Sequence, residues 1–172
     1  METIQIRDEI PSDIPSIFQL TLLAFHNHPF SRHTEQLIIS ALRDAGALTI
    51  SLVAEQDSKI VGHIAFSPVL ISDGTEDWYG LGPISVIPEM QRKGIGSKLM
   101  TSGLARLKSI GGQGCALVGD PDYYARFGFR NRPGLVHEGI PQEVFLALSL
   151  KLPSDSRFPT GTVKFHDAFL AH

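Results

Sequence analysis

A short stretch rich in glycine and basic residues has the composition of a phosphate-binding turn. From Gln91 to Lys98 its sequence is QRKGIGSK, and it lies between a β-branched apolar run and a pattern with helical spacing. The N-terminus of a helix presents unpaired backbone N–H groups and a partial positive charge. Gly94 and Gly96 let this backbone approach a ligand closely, and two basic side chains add positive charge. The pattern therefore predicts a pyrophosphate site at the start of a helix.

The spacing of the glycines differs from that of two common nucleotide-binding loops. A P-loop has four residues between its glycines and a lysine directly after the second, whereas here only Ile95 separates Gly94 from Gly96. A dinucleotide-binding loop has a third glycine where this chain has Leu99. A kinase or a dehydrogenase is therefore disfavoured. A turn that only caps a helix is the remaining alternative, but it leaves the apolar strand before the turn unexplained.

Composition narrows the class of partner. The 172 residues are 42% hydrophobic and 19% charged, with a net charge of −3, so a packed core is expected and general binding to nucleic acid is not. No apolar run approaches the roughly 20 residues that span a bilayer, and the first residues lack the pattern of a secretory signal. A lone cysteine, Cys115, forms no internal disulfide. We expect a cytoplasmic protein without membrane contact that binds a small anionic ligand, and we expect no metal.

The elements that position the turn follow from the periodicity of apolar residues. Alternating or continuous β-branched runs predict strands, and spacings of three and four predict helices. Short turns join the three middle strands, which indicates antiparallel pairing, while the strand-helix-strand unit around residues 84–118 is long enough for a parallel crossover. The predicted order is strand 3–7, helices 12–25 and 34–45, strands 49–55, 60–71 and 78–86, a helix ending at 110, strand 114–118, helix 121–127 and strand 144–150.

Two segments resemble the motifs of one enzyme superfamily. The segment from Val86 to Gly96, VIPEMQRKGIG, is similar to the acetyl-CoA motif of the GCN5-related N-acetyltransferase (GNAT) superfamily. The segment from Pro121 to Phe129, PDYYARFGF, resembles its Tyr-x-x-x-Gly-Phe signature, in the form found in a bacterial subgroup of predicted acetyltransferases. The order of elements is also that of the superfamily, over residues 3 to about 151.

The resemblance implies a fold and a division of the chain. The expected fold is α/β (α+β), with a mixed, mostly antiparallel sheet of about six to seven strands, a splay between two parallel strands, and about four flanking helices. We expect an N-acetyltransferase domain at residues 1–151 and a C-terminal tail at 152–172. The tail packs on the domain or forms a dimer contact, so that the protein is a monomer or a homodimer.

The resemblance also implies a function. The expected reaction moves the acetyl group of acetyl-CoA, without a metal, to a primary amine of a small molecule, peptide or protein by direct attack on the thioester. A non-catalytic acyl-CoA-binding or regulatory module is the alternative. The residues expected to bind acetyl-CoA come from the last strand before the turn, the turn itself and the short helix: Ile84, Ser85, Val86, Gln91, Arg92, Lys93, Gly94, Ile95, Gly96, Ser97 and Tyr124.

Two groups are expected to take part in the chemistry. The backbone N–H of Val86 would polarise the thioester carbonyl, and Tyr124, four residues before Gly128, matches the tyrosine that protonates the departing sulfur. Tyr123 is the alternative acid. Many members have an asparagine at the end of the strand before the short helix, in the region where this chain has Asp120. We expect Asp120 to cap the short helix, and an interaction with the cofactor or the chemistry is the alternative. The general base stays open between a water and five side chains: Glu55, His63, Glu76, Asp77 and Glu89.

Overall fold

The computed structural model describes residues 3–151 and 158–172. Its strands are β1 Gln5–Asp8, β2 Ile50–Gln56, β3 Lys59–Pro68, β4 Leu70–Ile71, β5 Trp78–Val86, β6 Gly114–Val118, β7 Arg130–Asn131, β8 Leu135–Val136, β9 Phe145–Ser149 and β10 Gly161–Lys164. Its α-helices are α1 Ile14–Phe25, α2 Glu35–Asp44, α3 Ile95–Ser109 and α4 Pro121–Tyr124. Within these ranges no helix has the length and apolar character needed to cross a membrane.

Seven strands form one mixed sheet in the order β1-β2-β3-β5-β6-β9-β7. Every neighbouring pair is antiparallel except β5 and β6, which are parallel and connected through α3. Antiparallel neighbours follow from the short turns, and the parallel pair follows from the long crossover. The predicted fold class is confirmed.

A bulge and a splay interrupt the sheet at β5. Against β3, Phe66 pairs with Leu81 but Ile64 pairs with Ile84, so β5 has one extra residue at this point. Gly82 lies in the bulge with a φ of +135°, a backbone conformation that favours glycine. On its other side β5 pairs with β6 only over residues 78–80 and 114–116. Beyond these three pairs the two parallel strands separate, as the predicted splay requires.

The two faces of the sheet carry different helices. On one side, here called the α3 face, Leu99 and Met100 of α3 pack on Ile64 and Phe66, and a Cβ at Gly103 would lie only 2.5 Å from the Phe66 ring. The small residue therefore sets how closely α3 approaches the sheet. The other side is here called the α1–α2 face. There Ile17 of α1 and Ile39 of α2 cover Val53.

The described part of the C-terminal tail lies against the domain. β10 pairs with β4 in antiparallel and with β8 in parallel orientation, which makes a second, three-stranded sheet. Phe165 lies over Gly80 of β5, where a Cβ would be 2.5 Å from the ring, and Ala168 and Phe169 pack with residues of α2. Residues 152–157, the first part of the predicted tail, lie outside the described ranges.

Candidate active site

The turn between β5 and α3 exposes the N-terminus of a long helix. Arg92 and Gly94 both have positive φ angles, +64° and +85°, and α3 begins directly after them at Ile95. No side chain caps this N-terminus. The first N–H groups of α3 are therefore available to a ligand. The Gln91 side chain turns back and donates a hydrogen bond of 3.0 Å to the Val86 carbonyl, which ties the turn to the end of β5.

The charge and the shape of this turn fit an anion. Arg92, Lys93 and Lys98 are exposed, and none of them forms an ion pair with a carboxylate of the described residues. A Cβ at Gly94 would meet no atom within 4 Å, so the space in front of the helix is open. Free N–H groups, the helix dipole and unpaired cations together favour a phosphate group here.

The end of β5 offers a free backbone edge beside the same turn. The Ile87 N–H donates to the Val61 carbonyl of β3 at 2.9 Å. Because backbone groups alternate in direction along an antiparallel strand, those of Ile84 and Val86 point away from β3 and into the splay. The pairing with β6 has already ended at Gly80. Apart from the Val86 carbonyl, which accepts from the Gln91 side chain, this edge is therefore free to pair with an extended ligand, as a further strand would.

Tyr124 is packed at the end of α4. Its ring lies so close to Gly119 that a Cβ there would be 2.5 Å from Cε2, and it makes an edge contact with Phe129 at 6.1 Å between ring centroids. Burial, together with Tyr123 and Asp120, raises the pKa of Tyr124 to about 12. Its hydroxyl is thus protonated at neutral pH and able to donate a proton. The Asp120 carboxylate accepts a 3.0 Å hydrogen bond from the Asp122 N–H, so the predicted cap of α4 is confirmed.

Tyr123 lies against the glycine-rich segment at the start of α3. Its hydroxyl oxygen is 3.1 Å from the position of a Cβ at Gly96. The Arg126 guanidinium lies over the Tyr123 ring, with Cζ 4.7 Å from the centroid. Sequence analysis did not assign Arg126 to the site. Its spacing of three residues from Tyr123 on a short helical segment was the only available signal.

The five side chains considered as general base are dispersed. Glu55 is bonded to Arg7 at 2.8 Å, and Glu89 is exposed in the turn after β5. Glu76 and Asp77 precede Trp78, at the opposite end of β5 from Val86. His63 has no accessible surface, and burial lowers its pKa to about 4, which keeps the ring neutral.

An open cavity of about 570 Å³ lies between α1 and the β2–β3 hairpin. Its wall includes two of these carboxylates, Glu55 and Glu89, together with Arg7, Asp13 and Lys59. Arg7 is already bonded to both Asp13 and Glu55, so most of the charge in this cavity is internally paired. The cavity reaches the turn after β5 at Ile87 and Glu89, and none of its lining residues belongs to β5 itself.

The histidines of the α1–α2 loop contact aromatic rings and each other. His28 lies 5.8 Å from Phe25 and 6.2 Å from Phe30, and His26 lies 6.3 Å from His33, between ring centroids. Across the described ranges there is no group of three or more His, Cys, Asp or Glu side chains arranged to hold a metal. Burial also raises the pKa of the Cys115 thiol, which makes it a poor nucleophile.

Comparison with known sequences decides the family. The sequence model of the acetyltransferase (GNAT) family matches residues 14–129, a range that runs from α1 through the turn to the end of the tyrosine segment. The chain belongs to the GNAT family of acetyltransferases. This GNAT chain is 35% identical over 125 residues to the N-acetyltransferase YhbS of Escherichia coli K12, which is 72% of each protein.

Solved GNAT structures have the same architecture. A GNAT family acetyltransferase from Brucella melitensis, in complex with acetyl-CoA, is 45% identical and superposes with a TM-score of 0.85 over 97% of this chain and 98% of that one. Escherichia coli YhbS, in complex with CoA, is 31% identical, with a TM-score of 0.88 over 99% of this chain and 93% of that one. The family, the fold and the full extent of the described elements are therefore shared with these proteins.

Proposed function

We propose that this GNAT protein transfers the acetyl group of acetyl-CoA to a primary amine of a small molecule, peptide or protein. One observation carries the proposal: the free edge of β5 at Ile84 and Val86 runs directly into the uncapped N-terminus of α3. A ligand with an extended, amide-containing arm and a pyrophosphate matches this combination. Acetyl-CoA and CoA are also the ligands in the structures of the two similar proteins.

In the proposed complex, each part of acetyl-CoA meets a different element. The pantetheine arm pairs with the backbone of Ile84 and Val86 at the splay. The pyrophosphate accepts hydrogen bonds from the turn and the first N–H groups of α3, and the exposed side chains of Arg92 and Lys93 add charge. The Tyr123 hydroxyl, which faces Gly96, lies at the phosphate end of this path.

The proposed reaction is a direct transfer. The neutral amine attacks the thioester carbon, a C–N bond forms, and the carbonyl oxygen gains negative charge that the Val86 N–H stabilises. The C–S bond then breaks and its electron pair stays on sulfur, which takes a proton from the Tyr124 hydroxyl. The amine nitrogen loses its proton to water. Tyr124 can take this role because its hydroxyl is protonated at neutral pH.

A non-catalytic acyl-CoA-binding module is the second candidate. The dispersed carboxylates favour it, because Glu55 is bonded to Arg7, and Glu76 and Asp77 lie at the opposite end of β5 from Val86. The protonated, half-buried Tyr124 favours catalysis, since a module that only binds acyl-CoA needs no proton donor there. Release of free thiol from acetyl-CoA in the presence of primary amines separates the two.

The binding part of the proposal is tested with a pair of glycines that share their geometry. Gly94 and Gly74 both have a φ of +85°, and a Cβ at either would meet no atom within 4 Å. Gly94→Asp places a carboxylate in the path of the pyrophosphate, whereas Gly74→Asp places one in the turn between β4 and β5. Both variants carry the same backbone strain, so their stabilities should fall alike.

Calorimetric titration with acetyl-CoA gives the result. We expect the unsubstituted protein and Gly74→Asp to bind alike, and Gly94→Asp to lose at least about 100-fold in affinity, because a charge is repelled and N–H groups are blocked. Equal affinity of the two variants would refute the assignment of the turn, and absence of binding by the unsubstituted protein would refute the function.

A further inference from the structure

A row of polar side chains crosses the α1–α2 face from α2 to the middle of the sheet. Arg43 of α2 donates two hydrogen bonds of 2.9 Å to the Glu9 carboxylate. The Ser51 hydroxyl donates to the same carboxylate, and Ser51 Oγ lies 2.7 Å from Nε2 of His63. Ser51 and His63 are both buried, and His63 is 0% exposed. The row therefore ends at a histidine ring in the interior.

The positions of the protons in this row follow from its chemistry. Burial alone would raise the pKa of Glu9, but hydrogen bonds from Arg43 and Ser51 bring it below its usual range, so Glu9 is a carboxylate and only accepts. Ser51 has a single hydroxyl proton, which it gives to Glu9. Ser51 Oγ must then accept from His63, whose neutral ring carries its proton on Nε2. The lone pair on Nδ1 is left as a buried acceptor.

A second buried group without a partner lies on the same face of the sheet as the His63 side chain. His63 of β3 pairs with Ser85 of β5, so their side chains lie on the same face with Cβ atoms about 5 Å apart. Ser85 is 3% exposed, and neither its Oγ nor Nδ1 of His63 has a hydrogen-bond partner among the described residues. Buried polar atoms of this kind ordinarily have a partner, so their coincidence on one face requires an explanation.

The same face is the one from which an amine can reach the thioester. A carbonyl that accepts a hydrogen bond from the Val86 N–H lies close to the plane of the sheet. A nucleophile must then attack from above or below this plane. On the α3 face, Ile84 and Val86 pack on the apolar core, whereas Ser85 lies between them in sequence and points to the α1–α2 face.

We propose that Ser85 orients the acceptor amine and that His63 is the positioning residue which fixes the Ser85 hydroxyl. A rotation of the Ser85 side chain about its Cα–Cβ bond lets it donate its proton to Nδ1 of His63, and its oxygen is then left with lone pairs only. This oxygen accepts an N–H of a neutral amine and directs the lone pair of nitrogen at the thioester carbon. Glu9, Arg43 and Ser51 hold the histidine ring in the required tautomer. The inference rests on the proposed acetyltransferase function and deepens it.

The tautomer and the hydrogen bond are tested without any acceptor. In nitrogen NMR spectra of the full chain labelled with ¹⁵N, the His63 ring should be neutral and protonated at Nε2. The Nδ1 resonance should move when Ser85→Ala removes the hydroxyl donor, and it should stay in place in Ser67→Ala. Ser67 is the matched control, because its Oγ is also buried without a partner on the same face but lies opposite Gly80, before the splay. A ring protonated at Nδ1, or an Nδ1 resonance that does not move in Ser85→Ala, would overturn the proposal.

Turnover gives the second test, with millimolar butylamine as the probe amine and free thiol as the readout. Ser85→Ala should lower kcat/KM for the amine by about tenfold or more, because one orienting hydrogen bond is lost, while the Kd of acetyl-CoA stays within about twofold. Ser67→Ala should leave both values unchanged. An unchanged kcat/KM in Ser85→Ala contradicts the orienting role.

Two substitutions of His63 separate positioning from packing. His63→Asn keeps an acceptor at the position of Nδ1 and should retain most of the amine kcat/KM. His63→Gln keeps a donor toward Ser51 but has no acceptor at that position, so it should match Ser85→Ala. Thermal unfolding confirms that both variants are folded in the assay, and equal losses in the two would refute the positioning role. Failure of the unsubstituted protein to bind acetyl-CoA would instead refute the proposed function, and titration detects this before any variant is compared.

Discussion

Two neighbouring tyrosines make different contacts and should have different functions. Tyr124 is packed between Gly119 and Phe129 with a raised pKa, whereas the Tyr123 hydroxyl faces Gly96 in the turn. The adjacent positions could not be told apart from the sequence, because a short helix can present either residue to a ligand. The contacts with Gly119 and Gly96 make the distinction testable.

Substitution of each tyrosine by phenylalanine should affect a different constant. Tyr124→Phe should lower kcat by about 100-fold with little change in the Kd of acetyl-CoA, because only the proton donor for the sulfur is lost. Tyr123→Phe should weaken acetyl-CoA binding and leave kcat nearly unchanged, because its hydroxyl lies at the phosphate end. Steady-state kinetics with calorimetry measure both, and the reverse pattern would exchange the two roles.

The buried His63 makes stability depend on pH. Its pKa is about 4 in the folded protein and about 6.5 in an unfolded chain, so between these values only the unfolded chain binds the proton. The free energy of unfolding should therefore fall as the pH falls through this window, by about 3 kcal/mol in total. Glu9 and Arg43 are the charged groups that act on the ring, with opposite effects on its pKa.

Urea unfolding of the unsubstituted protein and of His63→Asn isolates this contribution. Carboxylates such as Asp13, whose pKa is lowered by the hydrogen bond from Arg7, also lose stability in acid, but they do so equally in both proteins. The variant should show a shallower decline between pH 7 and pH 4. Parallel curves for the two proteins would mean that His63 is protonated in the folded state.

At the scale of the elements, the free edge of β5 predicts which backbone amides respond to a ligand. The amides of Ile84 and Val86 point into the splay, whereas the Ile87 N–H is bonded to β3. Hydrogen exchange, followed by NMR, should be fast at Ile84 and Val86 in the free protein and slow with saturating acetyl-CoA. Ile87 should be protected in both states. Unchanged exchange at Ile84 and Val86 would place the pantetheine arm elsewhere.

Most of the elements could be predicted from the sequence, because each long element has its own periodicity. The short strands β7, β8 and β10 were missed, since two to four residues are too few to show a period. The hydrogen bonds from Arg43 through Glu9 and Ser51 to His63 could not be predicted from the sequence either. They join residues that lie up to 42 positions apart, and the packing of α2 on the sheet and the register of the strands bring them together.

The glycine-rich turn before α3 could be located from the sequence for the opposite reason, and its binding of phosphate stays a prediction. Gly94, Gly96 and the adjacent basic residues are consecutive, so their chemistry is visible without any tertiary contact. Gly80 shows the limit of such reasoning. A glycine inside a strand often marks a bulge, but the extra residue of β5 lies further along the strand, and Gly80 makes room for the ring of Phe165 instead.

At the scale of the whole molecule, Phe165 attaches the C-terminal segment to the central sheet. Its ring lies over Gly80 and contacts His137 and Phe169, at 4.8 and 5.3 Å between centroids. Phe165→Ala should lower the free energy of unfolding by about 3 kcal/mol, because a partly buried aromatic ring is lost. Phe30→Ala is the control, since Phe30 is 90% exposed and its loss should cost less than about 0.5 kcal/mol.

Urea unfolding at pH 7 compares the two phenylalanine variants with the unsubstituted protein. Equal stability of Phe165→Ala and Phe30→Ala would show that the C-terminal segment adds nothing to the fold. Acetyl-CoA titration of Phe165→Ala then tests whether loss of this contact disturbs β5 and lowers the affinity for acetyl-CoA.

Three residue pairs join β5 to β6, so the sheet consists of two parts that are connected at one end. One part contains β1, β2, β3 and β5, and the other contains β6, β9 and β7. Because this connection lies at one end, a pantetheine arm inserted between the two parts would bridge them and complete the row of hydrogen bonds across the splay. Binding of acetyl-CoA should therefore restrict the motion of the two parts relative to each other, and release of CoA should restore it. The mechanical rigidity of the sheet would then rise and fall once in every turnover.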